Sequence, residues 1–190
     1  MDEKALVERC RRGDREAQRD LFEQTSDRIY RLLLRMTGNR DDAFDLAQQT
    51  YVKGLTQIET FDGRSSIGTW FYRIAVNEAL QFLRRRKTMR RKLERAAPSR
   101  DNGVSEAETT IVRLDIRAAL ADVDPSDRAI LLLRYQDGLD YRAMAEVVGC
   151  AEGTVASRLS RARDRLRDIL RKSYDWQEET DAGVHPRSSR

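Results

Sequence analysis

The chain has 190 residues, of which 36% are charged and 39% apolar, with a formal net charge of +4. That length allows one large or two small domains, and three prolines and ten glycines among many Arg, Leu, Ala and Glu favour an all-α fold over a large buried sheet. Cys10 and Cys150 form no C-x-x-C pair, and the one histidine, His185, lies in a polar stretch, so no metal, redox pair or cofactor is expected.

In chain order, Glu3 to Arg12 reads as a short charged helix ending at Gly13, and Asp14 can cap the next one. That second helix carries Ala17, Leu21, Ile29, Leu32, Leu33 and Met36 and closes at Gly38. A third, roughly Asp42 to Glu59, starts with Asp41 and Asp42 where a helix N-terminus favours negative charge. Residues 41–62 hold five Asp/Glu and one Lys/Arg, a surface unsuited to DNA and free for a protein partner. From charge alone a solvated face is the better reading. Asp62-Gly63 is a turn signal, and Ser65 or Ser66 can cap the following helix. Ile67, Trp70, Phe71 and Ile74 then follow helical spacing, with Phe61, Trp70, Phe71 and Tyr72 clustered around a loop that holds Arg64. Arg73 and then Arg84, Arg85, Arg86 and Lys87 follow along the helix. Aromatics interleaved with cations suit a splayed single strand, since every base has a face to stack and a phosphate to neutralise. Taken singly, each of Trp70 and Phe71 serves equally well as a core residue.

Residues 96–110, AAPSRDNGVSEAETT, are small and polar with no periodic stripe, and read as a flexible linker between a first domain (1–95) and a second (111–174). The second domain opens with a helix carrying Ile111, Leu114, Ala118 and Leu120. Asp124-Pro125 starts another, with Ile130 to Leu133 in its core. Asp140 can cap a short helix with Met144, Val147 and Val148 inward, and Gly149 ends it. Two residues later a second helix begins, in which Val155, Leu159, Ala162, Leu166 and Ile169 recur as one helical stripe. The opposite face holds Thr154, Ser157, Arg158, Ser160, Arg161, Arg163 and Arg165, and residues 151–172 contain seven Lys/Arg against three Asp/Glu. A short helix, a glycine turn and a basic second helix form a helix-turn-helix, whose second helix enters the major groove and whose guanidiniums neutralise phosphates. Residues 175–190 read as a disordered tail. No apolar run spans a membrane or directs export, so a cytoplasmic setting without membrane insertion is expected.

Three stretches carry a family resemblance: NRDDAFDLAQQTYVKGL, FDGRSSIGTWFYRIAVNEALQFLRRRK and DRAILLLRYQDGLDYRAMAEVVGCAEGTVASRLSRARDRLR. In this order and at these separations the chain resembles a bacterial RNA polymerase sigma factor of the extracytoplasmic-function class. The resemblance implies two small helical domains, like sigma regions 2 and 4, joined by a linker that threads along the polymerase. It implies that Asp45, Gln48, Gln49, Tyr51 and Val52 meet the beta-prime clamp helices of core RNA polymerase, with the beta flap a further contact. The loop Phe61, Asp62, Gly63, Arg64, Ser65 and Ser66, with Trp70, Arg73 and Asn77, would read the melted non-template strand of the minus-ten element. Arg84 and Arg85 would hold backbone upstream. Glu152, Gly153, Thr154, Ser157, Arg158, Arg161 and Arg163 would read the minus-thirty-five duplex. An anti-sigma partner is also compatible, docking over the polymerase-binding surfaces. The chain departs from the family pattern at Phe44 and Gln49, where acidic residues are usual, at Gln81 in place of an aspartate, and at Ala156 in place of a basic residue.

Two other readings compete. A stand-alone helix-turn-helix regulator fits the second domain but leaves the aromatic–basic first domain idle. A helical interaction protein without DNA contact leaves the cations of 158–165 unexplained. No nucleophile–base constellation or phosphate-cradling glycine loop suggests an enzyme.

Overall fold

The computed structural model describes residues 2–96 and 111–181. Their α-helices are α1 (Glu3–Arg11), α2 (Arg15–Thr37), α3 (Arg40–Thr56), α4 (Ile67–Ala96), α5 (Ile111–Asp122), α6 (Pro125–Tyr135), α7 (Tyr141–Val148) and α8 (Glu152–Asp181), and no strand occurs among the described residues. The all-α expectation therefore holds. Residues 97–110 of the expected linker and 182–190 of the tail lie outside the described residues. Residues 175–181 depart from expectation, since α8 continues through them to Asp181.

Local chemistry sets the boundaries. Asp14 accepts from the amides of Glu16 and Ala17, Asp124 from Ser126, and Asp140 from Ala143, each satisfying donors that the first helical turn leaves unpaired. The Asp14 carboxyl is held below its usual range, first by its hydrogen bond from Arg9 and then by the Ala17 amide. The cap of α3 is Asn39, which accepts from the Asp42 amide, while Asp41 and Asp42 occupy the first turn. That helix ends at Thr56, earlier than expected, and a 3-10 turn over Ile58–Thr60 leads into the loop. Gly149 takes φ 69°, the left-handed C-cap that ends α7 three residues short of α8.

α2, α3 and α4 pack around Leu21, Ile29, Leu32, Leu33, Met36, Leu46, Phe71, Val76 and Ala79, with α1 laid against α2 through Leu6, Val7 and Cys10. Gly54 sets the spacing of α3 and α4: a Cβ there would stand 2.6 Å from Cζ of Phe71. α5–α8 enclose a second core of Leu120, Val123, Ile130, Leu133, Met144, Val147, Val155, Leu159 and Ala162. In α5 the buried alanine is Ala119, and Ala118 faces solvent.

The two helical groups touch, α7 against α4 and α6 against α2. Arg128 is the buried hub of this contact. Its Nη1 donates to the carbonyl of Met36 at 2.6 Å, and its Nη2 donates to the carbonyls of Ala121 at 2.6 Å and Val123 at 3.1 Å. Nearby, the Tyr72 hydroxyl donates to Oδ1 of Asp137 at 2.9 Å. Burial pushes the Asp137 carboxyl above its usual range, opposed by the Tyr72 hydrogen bond and by Arg28 and Arg31. Burial and the Asp137 carboxylate likewise push the Tyr72 hydroxyl up.

A raised carboxyl favours the packed state where it is protonated, and that contribution fades as pH rises through the raised value. Asp14 and Asp124, whose carboxyls are lowered, act in the opposite sense, losing their contribution as pH falls below the ordinary carboxylate range. Asp137→Asn keeps the acceptor for Tyr72 and removes the titration. Urea midpoints of the variant minus wild type should therefore grow as pH rises from below the ordinary carboxylate range to neutrality. A difference that stays flat with pH would remove Asp137 from this role.

Candidate polymerase and nucleic-acid interfaces

Three surfaces gather the residues singled out from the sequence. The first is the outer face of α3. Asp45, Gln48 and Gln49 are exposed, Val52 is 68% exposed and Phe44 57% exposed. Gln48, Gln49, Val52, Lys53, Thr56 and Gln57 line a shallow apolar depression closed on the α4 side by Glu78. The Lys53–Glu78 ion pair at 2.5 Å ties α3 to α4 at its edge. Tyr51 departs from the expected partner-facing position, being only 7% exposed. Its ring packs edge-on to Phe22 at 4.8 Å and against Phe71 at 5.2 Å, and its hydroxyl pairs with the Thr25 hydroxyl at 2.7 Å. Burial pushes that phenol up to about 12. Tyr51 thus supports the face from beneath, which helical spacing explains: it lies one residue from buried Thr50, while Gln48 and Val52 sit together on the outer side.

The second surface is the loop between the 3-10 turn and α4. Phe61 is 5% exposed, its ring edge-on to Trp70 at 5.7 Å, and Trp70 in turn stands edge-on to the fully buried Phe71 at 5.4 Å. Trp70 itself is half-buried, so the two readings of the aromatics divide: Phe71 belongs to the core, and Trp70 keeps part of its ring at the surface. Asp62, Gly63, Arg64 and Ser66 are exposed and Ser65 is half-buried. Asp62 folds the turn, accepting the Arg64 amide at 3.1 Å and pairing with its guanidinium at 3.1 Å, while Gly63 takes φ 74°. Ser66 Oγ accepts the Thr69 amide at 3.0 Å and so starts α4. Trp70, Arg73, Asn77 and Arg84 then recur along one stripe of α4, with Arg73, Asn77, Arg84 and Arg85 exposed. Arg86 turns away to Asp42 at 3.0 Å.

The third surface is α8. Glu152, Gly153, Thr154, Ser157, Arg161 and Arg163 are exposed at its N-terminal half. Ser157 and Arg161 sit at the centre of the outward face, with Arg163 at its margin beside the apolar groove of Leu120, Leu131, Leu132 and Leu166. Arg158 sits at the other margin, where its Nη2 donates to Ser126 Oγ at 2.9 Å and to Asp127 Oδ1 at 3.1 Å. Asp164 lies on the outward face too, pairing with Arg167 at 3.0 Å, so the run is less uniformly cationic than its composition suggests.

Two kinds of residue escaped sequence reasoning. Arg128 stands beside the apolar run Ala129–Leu133, and an arginine there reads as a surface residue unless three backbone carbonyls are known to converge on it. Arg11 and Glu3, in a helix that looks merely charged, reach 50 and 64 residues along the chain to the loop of the second surface.

Two family models match the chain. Residues 21–89 match the model of Sigma-70 region 2, and residues 113–166 match that of Sigma-70, region 4. The chain is 33% identical to the ECF RNA polymerase sigma-E factor of Haemophilus influenzae, over 90% of this chain and 96% of that one. It belongs to the ECF sigma factors of the sigma-70 family. A further relative is the ECF sigma factor SigE of Mycolicibacterium smegmatis, 33% identical over 80% of this chain and 61% of that longer protein. SigW of Bacillus subtilis is 27% identical over 88% of this sigma factor and 96% of its own length. Among solved structures, the sigma factor RpoE of Bartonella quintana, in complex with the anti-sigma factor NepR, aligns with a TM-score of 0.66 at 25% identity, over 80% of this chain and 96% of that one. CnrH, in complex with the cytosolic domain of CnrY, shares the fold with a TM-score of 0.68 at 20% identity, over 90% of this chain and 97% of that one. This sigma factor is a promoter-specificity subunit of RNA polymerase. Among the described residues no helix is long and apolar enough to cross a membrane, and no cluster of His, Cys, Asp and Glu could hold a metal.

Proposed function

We propose that the three surfaces divide the work of promoter recognition and opening. The outer face of α3, with Asp45, Gln48, Gln49 and Val52 over the supporting ring of Tyr51, docks on the beta-prime clamp helices. The 61–66 loop with Trp70, Arg73 and Asn77 captures the unstacked non-template strand of the minus-ten element, and Arg84 and Arg85 hold its upstream backbone. The N-terminal half of α8 reads the minus-thirty-five duplex, and the beta flap is the partner of the second domain.

The observation that carries this reading is the stripe Trp70–Arg73–Asn77–Arg84, which leads away from an exposed turn and pairs a partly exposed aromatic with exposed cations. Such a surface binds single strands by stacking and phosphate neutralisation together. Because it binds the open form of the promoter and not the closed one, binding shifts the equilibrium toward melting without nucleotide hydrolysis. The protein is then an initiation factor and not an enzyme, acting in the cytoplasm where the polymerase is. An anti-sigma factor, of the kind bound to RpoE of Bartonella quintana, would compete for the same faces.

The two arginines of α8 separate contact from support. Arg161→Ala should lower the slope of log affinity against log salt by about 1 on a minus-thirty-five duplex, as expected for one lost phosphate contact. Arg158 reaches a phosphate only by leaving Asp127 and Ser126, so Arg158→Ala should change the slope by less and lower thermal stability more. Equal salt slopes for wild type and Arg161→Ala would take α8 off the phosphate backbone.

A further inference from the structure

We infer that α1 is a strap that holds the 61–66 loop in register, with Arg11 and Glu3 as positioning residues for selectivity at the minus-ten element. The inference rests on the reading of that loop as the single-strand reader, and it concerns a helix that lies outside the region 2 match at residues 21–89.

The loop has few tethers of its own. Asp62 and Ser66 make only short-range bonds, Asp62 to the Arg64 amide and Ser66 to the Thr69 amide. The long-range anchors come from α1, at both ends of the loop. At the start, Arg11 Nη2 donates to the carbonyl of Phe61. The guanidinium is itself steered by Glu8, which accepts from Nη1 at 2.6 Å, and by Glu59, whose carboxylate lies 3.8 Å from Nε. At the end of the loop, Glu3 Oε1 accepts the Ile67 amide at 3.1 Å, capping the first turn of α4. The helix that carries both residues is fixed by Leu6, Val7 and Cys10, all buried in the first core. Val7, Glu3 and Arg11 also line a cleft with Phe61, Asp62 and Gly63, so α1 forms the wall against which the turn rests.

Charge-assisted bonds of this kind are the stronger class and are directional. A loop held at both ends presents one arrangement of backbone and side-chain donors to a captured base, and selectivity between bases depends on that preorganisation. A loop released at either end still offers cations and stacking surface, so it keeps affinity for single strands while losing discrimination. Selectivity and affinity should therefore come apart in α1 variants.

The test uses the full-length protein bound to core polymerase, with open-complex formation measured on a promoter and on a series carrying each single-base change in the minus-ten element. Arg11→Met removes the donors while keeping the aliphatic stem, and Glu3→Leu removes the acceptor at an exposed position, where folding is least at risk. The expected result is about a tenfold loss of discrimination at one base position in each variant, the size expected from one charged hydrogen bond. Core affinity should stay unchanged, and Glu3→Gln, which keeps an acceptor oxygen, should stay near wild type. Arg64→Ala serves as the reference for the loop itself. Discrimination lost in Arg64→Ala but kept within twofold in both α1 variants would overturn the role of α1 alone. Discrimination kept in all three would overturn it together with the loop reading.

Discussion

Replacing Arg128 with alanine should lower the unfolding free energy of this sigma factor by about 3 kcal/mol, the scale set by leaving buried polar groups without partners. The carbonyls of Met36, Ala121 and Val123 all lose their donor. Met36 belongs to α2, while Ala121 and Val123 lie at the end of α5 and in the turn before α6, so the loss loosens the contact between helical groups as well as the second core. Burial lowers the affinity of the Arg128 guanidinium for its proton, partly offset by Asp124 and Asp122. Part of the gain from its hydrogen bonds is thus already spent on desolvation, which keeps the expected effect below the sum of the bonds. Urea unfolding followed by circular dichroism checks the value. Arg128→Lys, with one compact donor group, should fall between the two. A loss below about 0.5 kcal/mol, the size typical of a surface substitution, would mean that the packed arrangement does not depend on this residue.

Trp70→Ala should reduce the equilibrium yield of open complex by about tenfold or more while leaving closed-complex binding near wild type. Removing one base–aromatic stack is worth about 1–3 kcal/mol, and about 1.4 kcal/mol corresponds to a factor of ten. The geometry lets Trp70 do this without being the keystone of the core. The fully buried ring is Phe71, and the half-buried Trp70 stands edge-on to it and to Phe61. Some stability will be lost with those ring contacts, so the comparison is made below the variant's melting temperature. Permanganate reactivity of the melted strand separates opening from binding. Reactivity equal to wild type in a folded variant would assign Trp70 to packing alone.

The helices were legible because their signals are local. Asp14, Asp124 and Asp140 as caps, Gly38 and Gly149 as left-handed stops, and the Val155–Leu159–Ala162 stripe all act within one or two turns, and all stand where the sequence placed them. The faces were legible in outline for the same reason: spacing along α4 and α8 separates exposed from buried positions. What spacing could not resolve was position at the margin. Tyr51 is one residue from the outer face of α3 yet lies in the core, because Phe22, Thr25 and Phe71 come from two other helices to receive it. Arg158 sits among exposed cations yet is engaged by Ser126 and Asp127, about thirty residues away. The tethers from Arg11 and Glu3 to the loop, and from Arg128 to Met36, are wholly long-range, and nothing local in the chain marks them. The 3-10 turn at Ile58–Thr60 was merged with α3 in sequence because its apolar residue, Ile58, continues the helical register.

These features make one prediction above the rest. The purified protein should bind bacterial core RNA polymerase and direct single-round transcription from a subset of a promoter library, with the selected promoters sharing both an upstream duplex element and a melted minus-ten element. Core binding with promoter-dependent transcripts is the result expected of a sigma subunit built on these three surfaces. Specific duplex binding by the isolated protein, with no core association and no transcripts, would contradict it and leave a stand-alone helix-turn-helix regulator in its place.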